Sequence, residues 1–151
     1  MVGGAYSWVG VAANIDAGDT VMLISNTSTN KLLNITKLYI WADVFTQLKV
    51  HLPDYVSPSG TTVVGKNLNT TSGKLAEAAC HTDEILNTFS ASNSILTLST
   101  NELTTDQFGQ WADMEGSVIL GYHKSMAIDV VSEPGTFECS IIGFYTDTDF
   151  V

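Results

Sequence analysis

The 151-residue sequence predicts an all-β protein, an antiparallel β-sandwich folded as one domain over residues 1–151. Three observations predict it: apolar side chains recur at every second position, helical periodicity is scarce, and turn-forming residues punctuate the chain at regular intervals. The length suits one ordinary domain with a single core. With 44% hydrophobic and only 15% charged residues, the chain has enough apolar surface to bury such a core.

The clearest alternation is Gln47-Leu48-Lys49-Val50-His51-Leu52, which sends Leu48, Val50 and Leu52 one way and Gln47, Lys49 and His51 the other. Met126–Val130 and Phe137–Ile141 repeat the pattern, and each reads as a strand with one face on a core and one toward solvent. Trp8–Ala13, Thr20–Ser25, Leu32–Trp41, Ser94–Ser99 and Ser117–Tyr122 are rich in β-branched, aliphatic and aromatic residues and are bounded by turn chemistry. The turns are Asp16-Ala17-Gly18-Asp19, Ser25–Asn30, Pro53–Gly60 and Glu133-Pro134-Gly135-Thr136. About eight or nine strands result, and so many in so short a chain must stack as two sheets or close as a barrel. Lys74–Cys80 is the one expected short helix, and Thr104-Thr105-Asp106 is a candidate cap for a single turn before Phe108 and Trp111.

Composition excludes whole classes of partner. Six Lys, no Arg and sixteen acidic residues give a formal charge of −10. Nucleic-acid binding draws its affinity from cations set against phosphates, and anionic membranes ask for the same, so neither partner is expected. An acidic surface suits solubility, cation binding or a basic protein partner. No basic segment followed by an apolar stretch opens the chain, so no secretory signal is expected, and no apolar run approaches the ~20 residues of a membrane span. The sequons at Asn26, Asn34 and Asn69 read as chance in a chain rich in Asn and Thr. Cys80 and Cys139 form one disulfide or stay as two buried thiols; Cys139, in an alternating run, reads as a core thiol.

Motifs for specific chemistry fail on physical grounds. Gly60–Asn67 has the spacing of a phosphate-binding loop, but it ends on Asn67 where magnesium needs a hydroxyl, and its interior is β-branched; strand or hairpin is the reading. No Gly-x-Ser-x-Gly elbow occurs, and His51, His81 and His123 sit in unrelated contexts. His81-Thr82-Asp83-Glu84 lacks the second cluster that a zinc site needs. The pairs Asp16/Asp19, Asp113/Glu115 and Asp147/Asp149 are candidate hydrolase acids or calcium ligands, but each lies at a turn or chain end, where Asp is common for backbone reasons. No catalytic residue, cofactor or metal is assigned. Of the aromatic residues that suit a sugar platform, Trp41, Tyr55 and Trp111, the first is expected in the core with Tyr39 or Ile40, and Tyr55 in a Pro-flanked loop is expected to be exposed.

Three stretches together resemble the small jelly-roll proteins of tailed-phage virions, in particular capsid cement or decoration proteins. They are Ile15–Ser28, where Ala-Gly-x-Thr leads into an apolar strand and Asn-Thr-Ser; the long strand Lys31–Trp41; and the ending Ile142-Gly143-Phe144-Tyr145-Thr146-Asp147. The resemblance implies a jelly-roll sandwich and a non-enzymatic homotrimer, assembled in the host cytoplasm, that grips the major capsid protein of the virion through its N-terminal arm, residues 1–7, and hairpin tips. The partner-binding residues expected on that reading are Met1, Val2 and Tyr6 in the arm, Tyr55 at a loop tip, and Phe108 and Trp111. The alternatives are a carbohydrate-binding module or receptor-binding tip, in which exposed aromatics hold sugars, and a small hydrolase built on convergent carboxylates.

Overall fold

The computed structural model of the chain describes residues 4–54, 59–84, 94–99, 109–131 and 135–147. Among these it is all β: eleven strands in two antiparallel sheets, with no helix. The strands are β1 (Ala5–Ala13), β2 (Thr20–Asn26), β3 (Lys31–Ala42), β4 (Gln47–His51), β5 (Thr61–Val63), β6 (Lys66–Asn67), β7 (Ala78–Glu84), β8 (Ser94–Ser99), β9 (Gly109–Leu120), β10 (Ser125–Val130) and β11 (Thr136–Asp147). Sheet A runs β6-β1-β11-β3-β9, and sheet B runs β5-β7-β2-β10-β4-β8.

One core fills the space between the sheets. Sheet A contributes Trp8, Leu33, Ile35, Leu38, Ile40, Phe137, Cys139 and Ile141; sheet B contributes Val21, Met22, Ile24, Leu48, Val50, Met126, Ile128 and Val130. Along β11 the expected period of two is obeyed, with Phe137, Cys139 and Ile141 inward and Glu138 and Ser140 outward. Gly10 shows how closely the sheets approach. A Cβ built there would stand 2.3 Å from Thr82 Cγ2 on β7, so only glycine lets β1 pass over that strand.

The expected helix at Lys74–Cys80 does not form: Lys74–Glu77 are irregular, and Ala78–Cys80 open β7, which pairs with β2 from Thr20↔Glu84 to Asn26↔Ala78. Its apolar residues found a better partner in the sheet than in each other: Cys80 is buried, and Ala76 and Ala78 pack against the core. The stretch with phosphate-loop spacing falls into β5 and β6, as the strand reading required. The cap at Thr104–Asp106 lies outside the described residues.

Sheet B departs from the expectation of a half-solvated sheet. All seven residues of β2 and all six of β10 are buried, so both faces of these central strands are closed to solvent. Cys80 and Cys139 are free thiols, both buried, and burial pushes both above the usual thiol range. No helix among the described residues is long and apolar enough to cross a membrane.

Candidate functional site

Two features stand apart from the ordinary core. The first is the face of sheet A turned away from sheet B. Pairing registers set its rows: Val11, Glu138 and Trp41; then Val9, Ser140 and Tyr39; then Ser7, Ile142 and Lys37; then Ala5, Phe144 and Asn34. β9 extends these rows with Asp113 opposite Lys37 and Ile119 opposite Asn34. Val9 is 60% exposed, Val11 51% and Ile119 52%, and Tyr39, Trp41, Ile142 and Phe144 are half-buried among them. An apolar face of this extent on one side of a sandwich is unusual for a surface that meets only water.

Charge singles out the same face. Its described charged side chains are Lys37 and Lys66 against Asp113 and Glu138, so it is formally neutral on a chain of net charge −10. The one-residue shift of β3 against β11, where Ile142 pairs with Lys37 but Gly143 with Ile35, keeps this arrangement in phase, because it absorbs Thr36, whose Oγ1 donates to the Ile142 carbonyl oxygen at 3.0 Å. Without it the outward and inward sets of β3 would exchange faces.

The second feature is a polar cluster on the face of sheet B turned away from sheet A. Thr20 Oγ1 donates to Asp129 Oδ1 at 2.7 Å, and His51 Nε2 lies 3.0 Å from Asp129 Oδ2. Thr20, His51 and Asp129 are 0%, 2% and 7% exposed. One irregularity aims Thr20 at the carboxylate. Ile128 pairs with Met22 but Asp129 with Thr20, so Val21 is the extra residue: it joins Met22 in the core and leaves Thr20 beside the carboxylate. β4 keeps regular register with β10, Val50 opposite Ile128 and His51 opposite Ala127, so His51 reaches Asp129 from the neighbouring strand without a bulge. Burial pushes the Asp129 carboxyl up to about 6, helped by the charge of Asp19, while the bonds from Thr20 and His51 pull it down. The cluster is not a nucleophile relay. In such a relay the imidazole stands between carboxylate and hydroxyl, whereas here the carboxylate stands between the other two.

Beside Thr20 lies a cleft of about 330 Å³, lined by Ala13, Asn14, Ile15, Asp16, Asp19, Thr20 and Val21. Its rim is a tight turn in which Asp16 N–H donates to Asp19 Oδ2 at 2.9 Å, with Asn14 at φ 54° and Gly18 at φ 90°. The Asp16/Asp19 pair thus serves its own backbone. Among the described residues no group of three or more His, Cys, Asp or Glu side chains is placed to hold a metal ion.

The residues singled out in the sequence scatter. Tyr6 is 3% exposed, its ring against Trp8 and Tyr145, and it offers a partner no surface, because Ala5, Tyr6 and Ser7 begin β1 rather than belonging to an arm. Met1, Val2, Tyr55 and Phe108 lie outside the described residues. Trp111 is the register partner of Tyr39 on β9. Trp41, expected in the core, faces outward because the inward set of β3 is Leu38, Ile40 and Ala42. Asp147 is exposed at the end of β11, and Asp149 lies outside the described residues. His81 Nε2 is 3.3 Å from Thr62 Oγ1, and His123, at φ 55°, stacks on Tyr122 with ring centroids 3.8 Å apart. Sequence reasoning missed the outward face and the cluster of Thr20, Asp129 and His51. The one available signal was that Leu32–Trp41 is apolar in both phases, so either phase would leave large side chains outside.

No protein-family model matches the chain, and no curated protein is recognisably similar to it.

Proposed function

We propose that the chain is a non-enzymatic structural protein of a virion, a cement or decoration protein that docks on the major capsid protein through the outward face of sheet A. One observation carries the reading: a sheet face whose described side chains are largely apolar and formally neutral, on an otherwise acidic chain. Four long strands about 4.8 Å apart, over nine residues rising about 3.3 Å each, span roughly 600 Å², approaching the ~800 Å² that one partner contributes to a standard interface. The strand orders support a jelly-roll description. Leaving aside the short or inserted β5, β6 and β7, the remaining eight strands run 1-11-3-9 in one sheet and 2-10-4-8 in the other, the order two interlocked Greek keys produce. Jelly rolls recur in capsid proteins, and the sequence likeness to decoration proteins points the same way. On this reading three copies sit together on the shell.

The test is co-sedimentation with shells assembled from the cognate major capsid protein. Val9→Lys combined with Ile142→Lys is expected to weaken shell binding by tenfold or more while far-UV circular dichroism stays unchanged. Binding at the unsubstituted level would dismiss the face as the docking surface.

A second reading is favoured by a specific placement: Tyr39 and Trp41 sit on successive outward positions of β3, and Trp111 is in register with Tyr39. Aromatic rings such as those of Tyr39 and Trp41, facing outward from a sheet, suit the faces of sugar rings. Retention on a glycan array, lost in Trp41→Ala, together with no binding to shells, would select the carbohydrate-binding function instead.

A further inference from the structure

We propose that Thr20, Asp129 and His51 form a proton-sensitive clasp across β2, β10 and β4, adjacent strands of sheet B, in which burial of the Asp129 carboxyl makes the fold more stable with that group protonated than ionised. This rests on the buried cluster and is independent of what docks on sheet A. The three side chains come from three adjacent strands and meet where little solvent reaches, so the charge of the carboxylate is carried mainly by neighbours.

Those neighbours only partly support a charge. From β2 comes the Thr20 hydroxyl, and from the turn before it the Asp19 carboxylate, which opposes a second negative charge. From β4 come His51, in direct contact, and Lys49, the register partner of Asp129 and itself half-buried. On β8 the register partners of Lys49 and His51 are Thr97 and Ser94, which are uncharged. On β7, Glu84 is the register partner of Thr20 and so stands on the row of Asp129, and His81 is separated from His51 by Leu23 and Ala127 along another row. Among the described residues one hydroxyl, one imidazole and one lysine on a neighbouring strand thus stand against burial, the Asp19 charge and a further acidic residue, Glu84, on the same row.

The sign of the effect follows. The carboxyl is pushed up to about 6 in the folded chain against an ordinary value of 3.8, so between these values the folded state holds more protons than the unfolded one. Stability from this group is therefore fully present at the acid end of that window and is lost as pH rises through about 6. This is opposite to a salt-bridged carboxylate, which stabilises above its ordinary range.

Thermal and urea unfolding between pH 4.5 and 8 test the clasp. The wild type is expected to gain stability on acidification from pH 7.5 to 5. Asp129→Asn, a neutral residue of the same shape, is expected to flatten that gain and to match or exceed the wild type at pH 7.5. A variant that keeps the full slope, or that loses the same stability at both pH values, overturns the proposal. Carboxyl carbon NMR on the unsubstituted chain gives a reading that does not depend on a variant folding. An Asp129 midpoint near 6 supports the clasp, and one near the ordinary 3.8 refutes it. His51→Gln keeps a hydrogen-bond donor without a charge and is expected to move that midpoint higher; a fall overturns the assignment of His51.

Discussion

Asn26 ends β2, is 0% exposed, and holds three backbone groups at once. Its Nδ2 donates to the carbonyl oxygens of Lys31 and Leu120, both at 2.8 Å, and its Oδ1 accepts from Ser28 N–H at 3.0 Å. One side chain of sheet B thereby fastens the start of β3 and the end of β9, both in sheet A. Asn26→Ala leaves two carbonyls and one amide without these partners. At about 1 kcal/mol or more for each orphaned group, the loss is about 3–5 kcal/mol, a large part of the ~5–15 kcal/mol that holds a typical domain together. Urea unfolding followed by tryptophan fluorescence reads this directly. With a slope of about 2 kcal/mol/M, the midpoint should fall by roughly 2 M at unchanged slope. Asn26→Asp keeps the acceptor for Ser28 but turns an oxygen toward two carbonyls, so it should be at least as damaging at neutral pH and partly relieved in acid. A loss below about 1 kcal/mol for the alanine variant would refute the view that this residue ties the sheets together.

Two further predictions concern the core. Gly10→Ala sets a methyl group 2.3 Å from Thr82 Cγ2 between the sheets and should cost about 1–3 kcal/mol, whereas Gly73→Ala, with nothing within 4 Å of the new Cβ, should be neutral or slightly stabilising in the same unfolding assay. Cys80 and Cys139 are buried with their thiols held in the protonated form, so a thiol reagent under reducing-free native conditions should label neither in the time it labels both in denaturant; rapid native labelling would contradict their placement.

Much of the architecture was legible because alternation is a local property. Gln47–His51, Met126–Val130 and Phe137–Ile141 each carried their inward set on every second residue, and Leu48, Val50, Met126, Ile128, Phe137 and Cys139 are in the core. Turn chemistry located Asp16–Asp19, where Gly18 takes a positive φ. The short Ala-rich segment at Lys74–Cys80 was ambiguous by the same logic. Seven residues carry a helix only if nothing better is offered, and β2 offered the last three of them a ladder.

What the sequence by itself determined was the class of fold, the inward phase of the strands whose two faces differ in polarity, and an Arg-free, acidic exterior. Tertiary structure decided the rest. In β3, apolar in both phases, only pairing with β11 and β9 could choose which set faces the core, and it sent Tyr39 and Trp41 outward. His51 and Asp129 looked like solvent-facing positions because each alternates with core residues. They are buried because β10 is a central strand closed on both faces and His51, at the end of β4, lies against its Asp129, and a strand's pattern does not report what covers its second face.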